Sequence, residues 1–275
     1  MFFILCGVGG ALFFILLLTI LLTAGSTAAK LFLDYHADSS SSVLPYPITI
    51  QNIMWIMLGI AIGDSVFRYR SAEKERKSIE LELLPERSNS ILTSETLPEV
   101  MEKAYVHIRR ENLFLARLIH SAGMSFQTHA SAQQSHEVMS SQVDLELHRL
   151  DLRYTLIRYI AWLLPTLGFI GTVIGISSAL ASIEVSMPNQ TAEVAPLQSE
   201  KKETGSEKAS VKKNLSREVT NKLGLAFNTT IIALLQSVLV VLMSQFLQKK
   251  EEEIINEQSE YCLNNLIVRL YNPDR

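Results

Sequence analysis

LIRYIAWLLPTLGFIGTVIGISSALASI, residues 156–183, and LGLAFNTTIIALLQSVLVVLMSQFL, residues 223–247, decide how this chain is read. As helices, both are long enough to cross a hydrocarbon core of ~30 Å, which takes about 20 apolar residues. No charged residue falls between 161 and 183 or between 223 and 247. Yet hydroxyls interrupt both runs, Thr172 in the first and Thr229 and Thr230 in the second. A polar group at membrane depth needs a partner or a wetted surface. These threonines are therefore the first candidates for function.

Two apolar segments precede this pair. The first covers residues 1–24, and its apolar character extends to Leu33. It lacks the basic start of a secretory signal peptide, so an uncleaved transmembrane helix is expected. The second, residues 48–67, contains Trp55 and ends near Asp64 before a basic flank. The expected fold class is an all-α integral membrane protein: four transmembrane helices with long helical cytoplasmic extensions.

Basic residues orient the spans. Arg68, Arg70, Lys74, Arg76 and Lys77 follow the second segment, and Arg149, Arg153 and Arg158 lead into the third. The stretch 25–47 carries only Lys30. By the positive-inside rule residues 68–158 are cytoplasmic, 25–47 are external and both termini are cytoplasmic. One stretch runs against this topology: 184–222 would be external yet holds Lys201, Lys202, Lys208, Lys212, Lys213, Arg217 and Lys222. Agreement between the two basic flanks decides the assignment.

Four regions follow from this layout. Residues 1–67 form a first transmembrane helix pair with a short external loop, and 68–153 a cytoplasmic helical region. Residues 154–248 form the core, with an external loop at 184–222, and 249–275 a cytoplasmic C-terminal helix. In the middle region Val100, Ala104, Ile108, Leu115, Leu118 and Ile119 recur at helical spacings. Val143, Leu147, Leu150, Tyr154 and Ile157 then run at near-heptad spacing into the third segment.

Composition narrows the function classes. Of 275 residues, 48% are hydrophobic and 19% charged, against about 25% charged in soluble domains. A net charge of -3 leaves no basic footprint for nucleic acid. Cys6 and Cys262 lie too far apart to suggest a disulfide framework or a metal site. His107, His120, His129, His136 and His148 are dispersed, which suits solvated or bundle positions better than metal ligation. No nucleophile–base set appears, so the chain is not expected to be an enzyme: no catalytic residue, cofactor or metal site is expected.

Within the spans, Gly168, Gly171, Gly175 and Ala179 recur at three- and four-residue steps, giving the third segment a smooth face for close helix approach. Pro165 is placed to bend that helix and free a carbonyl. Thr172 lies beside the smooth face, where its hydroxyl either bonds back to a carbonyl four residues earlier or serves a pathway. In the fourth segment Thr230, Ser237 and Ser244 fall at seven-residue steps, Asn228 and Gln236 add amides, and Gly224 keeps the start narrow. Such a stripe is either interhelical glue or the wall of an aqueous path. No acidic, basic or histidine residue sits well inside any span, since Asp64 and Glu184 read as interfacial. A conducted proton would need a carboxylate from another chain.

LLPTLGFIGTVIGI, residues 163–176, and LGLAFNTTIIALL, residues 223–235, resemble the two core segments of the MotA/TolQ/ExbB proton-channel family. The likeness is most specific at Pro165, Gly168, Gly171, Thr172, Val173 and Gly175, and at Gly224, Thr229 and Thr230. It covers 154–183 and 219–247, while the middle region is similar only in being helical and cytoplasmic. The resemblance implies an ion-driven motor or stator subunit of the bacterial inner membrane, passing H+ or, as the other candidate, Na+. It implies a homopentameric ring in the bilayer around a dimer of a MotB/TolR/ExbD-like single-span protein, each copy bringing an aspartate. On this likeness Thr172 takes the place of the third-segment pathway threonine and Thr229 or Thr230 that of the fourth, with Asn228 beside them. Pro165, Gly168, Gly171, Gly175, Gly224 and Ser237 take packing roles.

Two features depart from the family. Exporter-type members often carry a glutamate one to two turns before the fourth-segment threonine, whereas here Glu218 lies farther away. The charged stretch 184–222 is also long. No motif matches the rotor-engaging charges of flagellar stators; Arg109, Arg110 and Glu111 are candidates by exposure alone. A non-conducting scaffold or signalling subunit that binds partners through 99–158 stays open as a second reading. A solute transporter is disfavoured, because no internal repeat with broken helices is evident.

Overall fold

A computed structural model describes residues 2–22, 32–33, 49–85, 91–93, 95–185 and 205–271. Its helices are α1 (Phe2–Leu21), α2 (Ile50–Lys77), α3 (Leu97–Glu111), α4 (Phe114–His129), α5 (Ala132–Arg153), α6 (Thr155–Val185) and α7 (Gly205–Asn265). Short 3-10 turns lie at Ile79–Leu81 and Ile267–Arg269. The fold is all-α. Among the described residues three helical stretches are long and apolar enough to cross a membrane: Ile50–Leu81, Ala132–Ala181 and Ala226–Arg269.

The sequence led us to expect four. The first expected span is helical, but its apolar stretch Leu5–Leu21 is a shorter one. The helix itself is longer than that stretch, running Phe2–Leu21 over 20 residues, about 30 Å at ~1.5 Å each, which is the depth of a hydrocarbon core. The stretch 184–222, expected as a loop, is helical from Gly205 onward, so α7 runs 61 residues. Lys30 and the rest of the expected external loop, apart from 32–33, lie outside the described residues.

The chain divides into two compact units. One comprises Met1–Asp64 and Arg158–Val241. In it α1 and α2 form an antiparallel pair in near backbone contact. A Cβ on Gly7 would overlap the Gly59 carbonyl oxygen, and one on Gly59 would sit 2.5 Å from Ala11 Cβ and 2.7 Å from the Gly7 oxygen. Small residues at both positions let the helices meet at this distance. Farther along the pair, the Phe14 and Trp55 rings meet at a tilt of 56° with centroids 5.1 Å apart, and the Trp55 indole donates to the Phe32 carbonyl at 2.8 Å. Thr49 starts α2, its hydroxyl accepting from the Asn52 amide at 3.2 Å. Asp64, read from sequence as interfacial, is buried in the fold.

The other unit comprises Ser65–Ile157 and Leu242–Arg275. Its core is α3, α4 and α5, with Leu97, Met101, Leu115, Leu118, Ile119, Phe126 and Leu150 buried. The apolar periodicity read from Val100 to Ile119 is cut at Asn112, which adopts a left-handed conformation (φ 53°) and donates its N–H to the Ile108 carbonyl. Asparagine tolerates that conformation better than most residues, hence its use as a helix stop. The next helix begins at Leu113, whose side chain cannot cap it. Glu75 of α2 does so instead, both carboxylate oxygens accepting from the Phe114 amide at 3.2 and 3.1 Å. Gln258 of α7 donates to the same carboxylate at 3.1 Å and to Ser78 Oγ at 3.0 Å. Glu146, almost wholly buried, is ringed by Arg117, Arg149 and Arg153 at 3.2, 3.4 and 2.7 Å. Leu92 pairs with Leu270 in an isolated parallel bridge that ties the chain end to the start of α3.

Candidate functional site

In the first unit, α6 and α7 run antiparallel with their small residues in register. A Cβ on Gly168 would lie 2.5 Å from Ala233 Cβ, one on Gly171 2.7 Å from Thr229 Cγ2, and one on Gly175 2.6 Å from Ala226 Cβ. Carbon atoms prefer about 3.5–4.0 Å, so no side chain fits at any of the three. The absence of Cβ atoms along this face is what brings the α7 hydroxyls within reach of the α6 backbone.

Four polar groups meet there. The Thr172 hydroxyl is 3.1 Å from the Gly168 carbonyl oxygen and 3.2 Å from that of Ala226. The Thr230 hydroxyl is 3.0 Å from the Gly168 oxygen and 3.4 Å from the Ala226 oxygen. The two hydroxyl oxygens are also in hydrogen-bond contact with each other. Each threonine therefore reaches both its own carbonyl four residues back and the one belonging to its partner helix. Two hydroxyl protons and two carbonyls suffice to satisfy the cluster internally. Both hydroxyl oxygens keep lone pairs that can accept from a further donor.

This geometry assigns different places to the two adjacent threonines. Thr230 is half-buried and faces Thr172, whereas Thr229 is buried with its methyl against Gly171. Asn228 is half-buried and takes no part in the Thr172–Thr230 hydrogen bonds. Gly224, expected as a packing glycine, is exposed, and no described atom lies within 4 Å of a Cβ built there. Gln236 is buried, and neither its amide nitrogen nor its oxygen has a hydrogen-bond partner among the described residues.

Pro165 lies in the interior of α6. Having no N–H, it leaves the carbonyl four residues earlier, that of Ala161, without a helical donor. Ser237 fills the gap from α7, its hydroxyl donating to Ala161 O at 2.8 Å. Sequence reasoning named Pro165 and Ser237 separately and missed Ala161. The available signal was the four-residue step back from the proline. The side chain of Glu184 lies outside the described ones. Arg109, Arg110 and Glu111 are exposed at the end of α3, where Glu111 pairs with Lys74 at 3.2 Å.

The outward faces of both helices are apolar, with Trp162, Phe169 and Val173 on α6 and Phe227, Ile231 and Leu235 on α7 all exposed. Such faces suit lipid or further apolar helices rather than water. Among the described residues no cluster of three His, Cys, Asp or Glu is placed to hold a metal.

Residues 109–200 match the model of the MotA/TolQ/ExbB proton channel family. The match takes in about a third of the chain, from the end of α3 through α6. It includes Pro165, Gly168, Gly171, Thr172 and Gly175 and stops before Thr229 and Thr230. It also reaches back over 109–153, where the sequence had suggested likeness only in general character. No curated protein and no solved structure matches the chain. The partial match and the three apolar helices are consistent with a multi-pass membrane protein of this channel family. Members of the family are channel and motor proteins rather than enzymes, in keeping with a non-enzymatic assignment here.

Proposed function

We propose that this chain is the ring-forming subunit of an ion-driven motor in a bacterial inner membrane, with Thr172 and Thr230 lining its ion path. The observation that carries this reading is the paired hydroxyl cluster, set between two helices that bring no charge of their own to that level. A hydroxyl pair already satisfied by backbone carbonyls neither binds nor releases a proton at ordinary pH. It can accept a hydrogen bond from a protonated carboxylic acid and return one to the carboxylate. The chain therefore supplies half a site, and the titrating half is an aspartate on a single-span partner. The ion is a proton, with sodium the other candidate. Its passage releases about 2.3 kcal/mol per elementary charge per 100 mV, available for moving the ring against the partner pair.

In this arrangement several copies surround a dimer of the partner, five on the family pattern. Helix α1 serves as a fourth, shorter span beside α2, and both termini are cytoplasmic. Residues 68–153 and 249–275 form the cytoplasmic body, while Thr229 and Asn228 flank the path. Proteoliposomes holding this chain with a co-purified, aspartate-bearing single-span protein should acidify under an imposed potential. Thr172→Val and Thr230→Val should each cut the flux at least tenfold while leaving ring mass unchanged, a loss of about 1.4 kcal/mol or more in the barrier. Undiminished flux in the double variant would remove the conducting role.

A further inference from the structure

We propose that Ser237 is a positioning residue: through the carbonyl that Pro165 frees, it holds α6 and α7 in the register that brings Thr172 to Thr230. The role of that register in ion flow rests on the reading above; the bond itself does not. Serines and threonines in apolar helices commonly donate to their own carbonyl four residues back. Thr166 does so to Trp162 at 3.0 Å, and Thr19 to Ile15 at 2.7 Å. Ser237 instead reaches across to Ala161 at 2.8 Å. Its acceptor is the one α6 carbonyl that a proline has deprived of its helical N–H.

The acceptor end of this link is set in packed surroundings, with Ala161 and the neighbouring Leu164 buried, while Ser237 is half-buried. A carbonyl left bare there has no water to turn to, so the serine hydroxyl is the donor that makes a proline tolerable at 165. Along the helix pair the contacts run in order: Ala161 with Ser237, Gly168 with Ala233, Thr172 with Thr230, Gly175 with Ala226. The glycine contacts are apolar and allow small slides. The two polar links at Ser237 and at the threonines do not, because a hydrogen bond fails within a fraction of an ångström of stretch. Ser237 thus sets the level at which the threonine cluster closes.

The test is a double-mutant cycle on the full chain in lipid nanodiscs, read by apparent melting temperature. Ser237→Ala should lower it by about 3–8 °C, because a carbonyl in the packed helix pair loses the hydroxyl that donates to it. In a Pro165→Ala background the new N–H at 165 serves Ala161, so the same serine substitution should cost less than half as much. Ser237→Thr should restore the wild-type value and Ser237→Val should not, a comparison equal in shape that serves if the alanine variant does not fold. Register is read separately, by disulfide trapping of Thr172→Cys with Thr230→Cys in a Cys6→Ser, Cys262→Ser chain. Trapping should slow severalfold when Ser237→Val is added and keep its rate with Ser237→Thr. Equal costs in both proline backgrounds, or a trapping rate indifferent to the hydroxyl, would overturn the assignment. Neither readout needs ion flow, so an absence of flux would count against the motor and leave this link standing.

Discussion

Replacing Gly171 and Gly224 by alanine should move stability in opposite directions, and the reason lies entirely in what each new methyl meets. At Gly171 the Cβ would lie 2.7 Å from Thr229 Cγ2 and 3.4 Å from Thr229 Cβ. Carbon contacts settle near about 3.5–4.0 Å, so roughly 1 Å must be found. Thr229 is β-branched, which restricts its χ1 to two helical rotamers, and it is buried against Gly171. The displacement therefore falls on the helices, at a cost of about 1–3 kcal/mol typical of overpacking. That corresponds to about 2–4 °C of melting temperature per kcal/mol for a chain of this size. At Gly224 nothing described lies within 4 Å, and alanine gains the ordinary helix preference of about 0.5–1 kcal/mol. Thermal unfolding in nanodiscs reads both. Thr229→Ser removes the clashing methyl and keeps the hydroxyl, so Gly171→Ala with Thr229→Ser should recover most of the loss. If Gly171→Ala is neutral, or if the serine brings no recovery, α6 and α7 do not pack through this face.

Other outcomes follow from the same geometry. Glu75→Ala should strip the N-terminal cap of α4, costing about 1–2 kcal/mol and speeding hydrogen exchange at the Phe114 amide, whereas Glu75→Gln retains an acceptor and should protect that amide; equal exchange in both variants would count against the cap. Gln236→Leu should raise the melting temperature, because a buried amide without partners costs about 1–3 kcal/mol that leucine does not incur; a fall in stability would mean that the amide is satisfied in the assembled protein. The flux measurements on Thr172→Val and Thr230→Val address function directly, and either variant at full flux would exclude its threonine from the path.

Much of the helical content is legible along the chain, for a simple physical reason. A run without charges and longer than a bilayer is thick can hardly be anything but helix, and α6 and the apolar part of α7 meet that condition. The break at Asn112 is harder to see. Apolar residues keep their helical spacing on both sides of it, and only the left-handed turn stops the helix. The helical stretch of α7 that starts at Gly205 is masked by its composition. It is rich in lysine and glutamate, and charge density alone does not separate a solvated helix from a loop. Asp64 stands in sequence four residues before the basic flank that opens at Arg68, and only the fold shows that it is buried, since burial depends on neighbours remote in sequence.

By itself the sequence determined which residues have the chemistry to matter: Thr172, Thr229 and Thr230 in two charge-free runs, a row of glycines and a proline. It also determined that no acidic, basic or histidine residue accompanies them within those runs, since this follows from composition alone. The tertiary structure decided which threonine is which. Thr229 and Thr230 are neighbours of the same kind, and only the antiparallel seating of α7 on Gly168, Gly171 and Gly175 turns one toward Thr172 and the other into the packing. It decided likewise that the carbonyl freed by Pro165 belongs to Ser237. A proline's missing hydrogen bond can be counted from sequence, but the donor that replaces it lies on another helix, and only packing selects it.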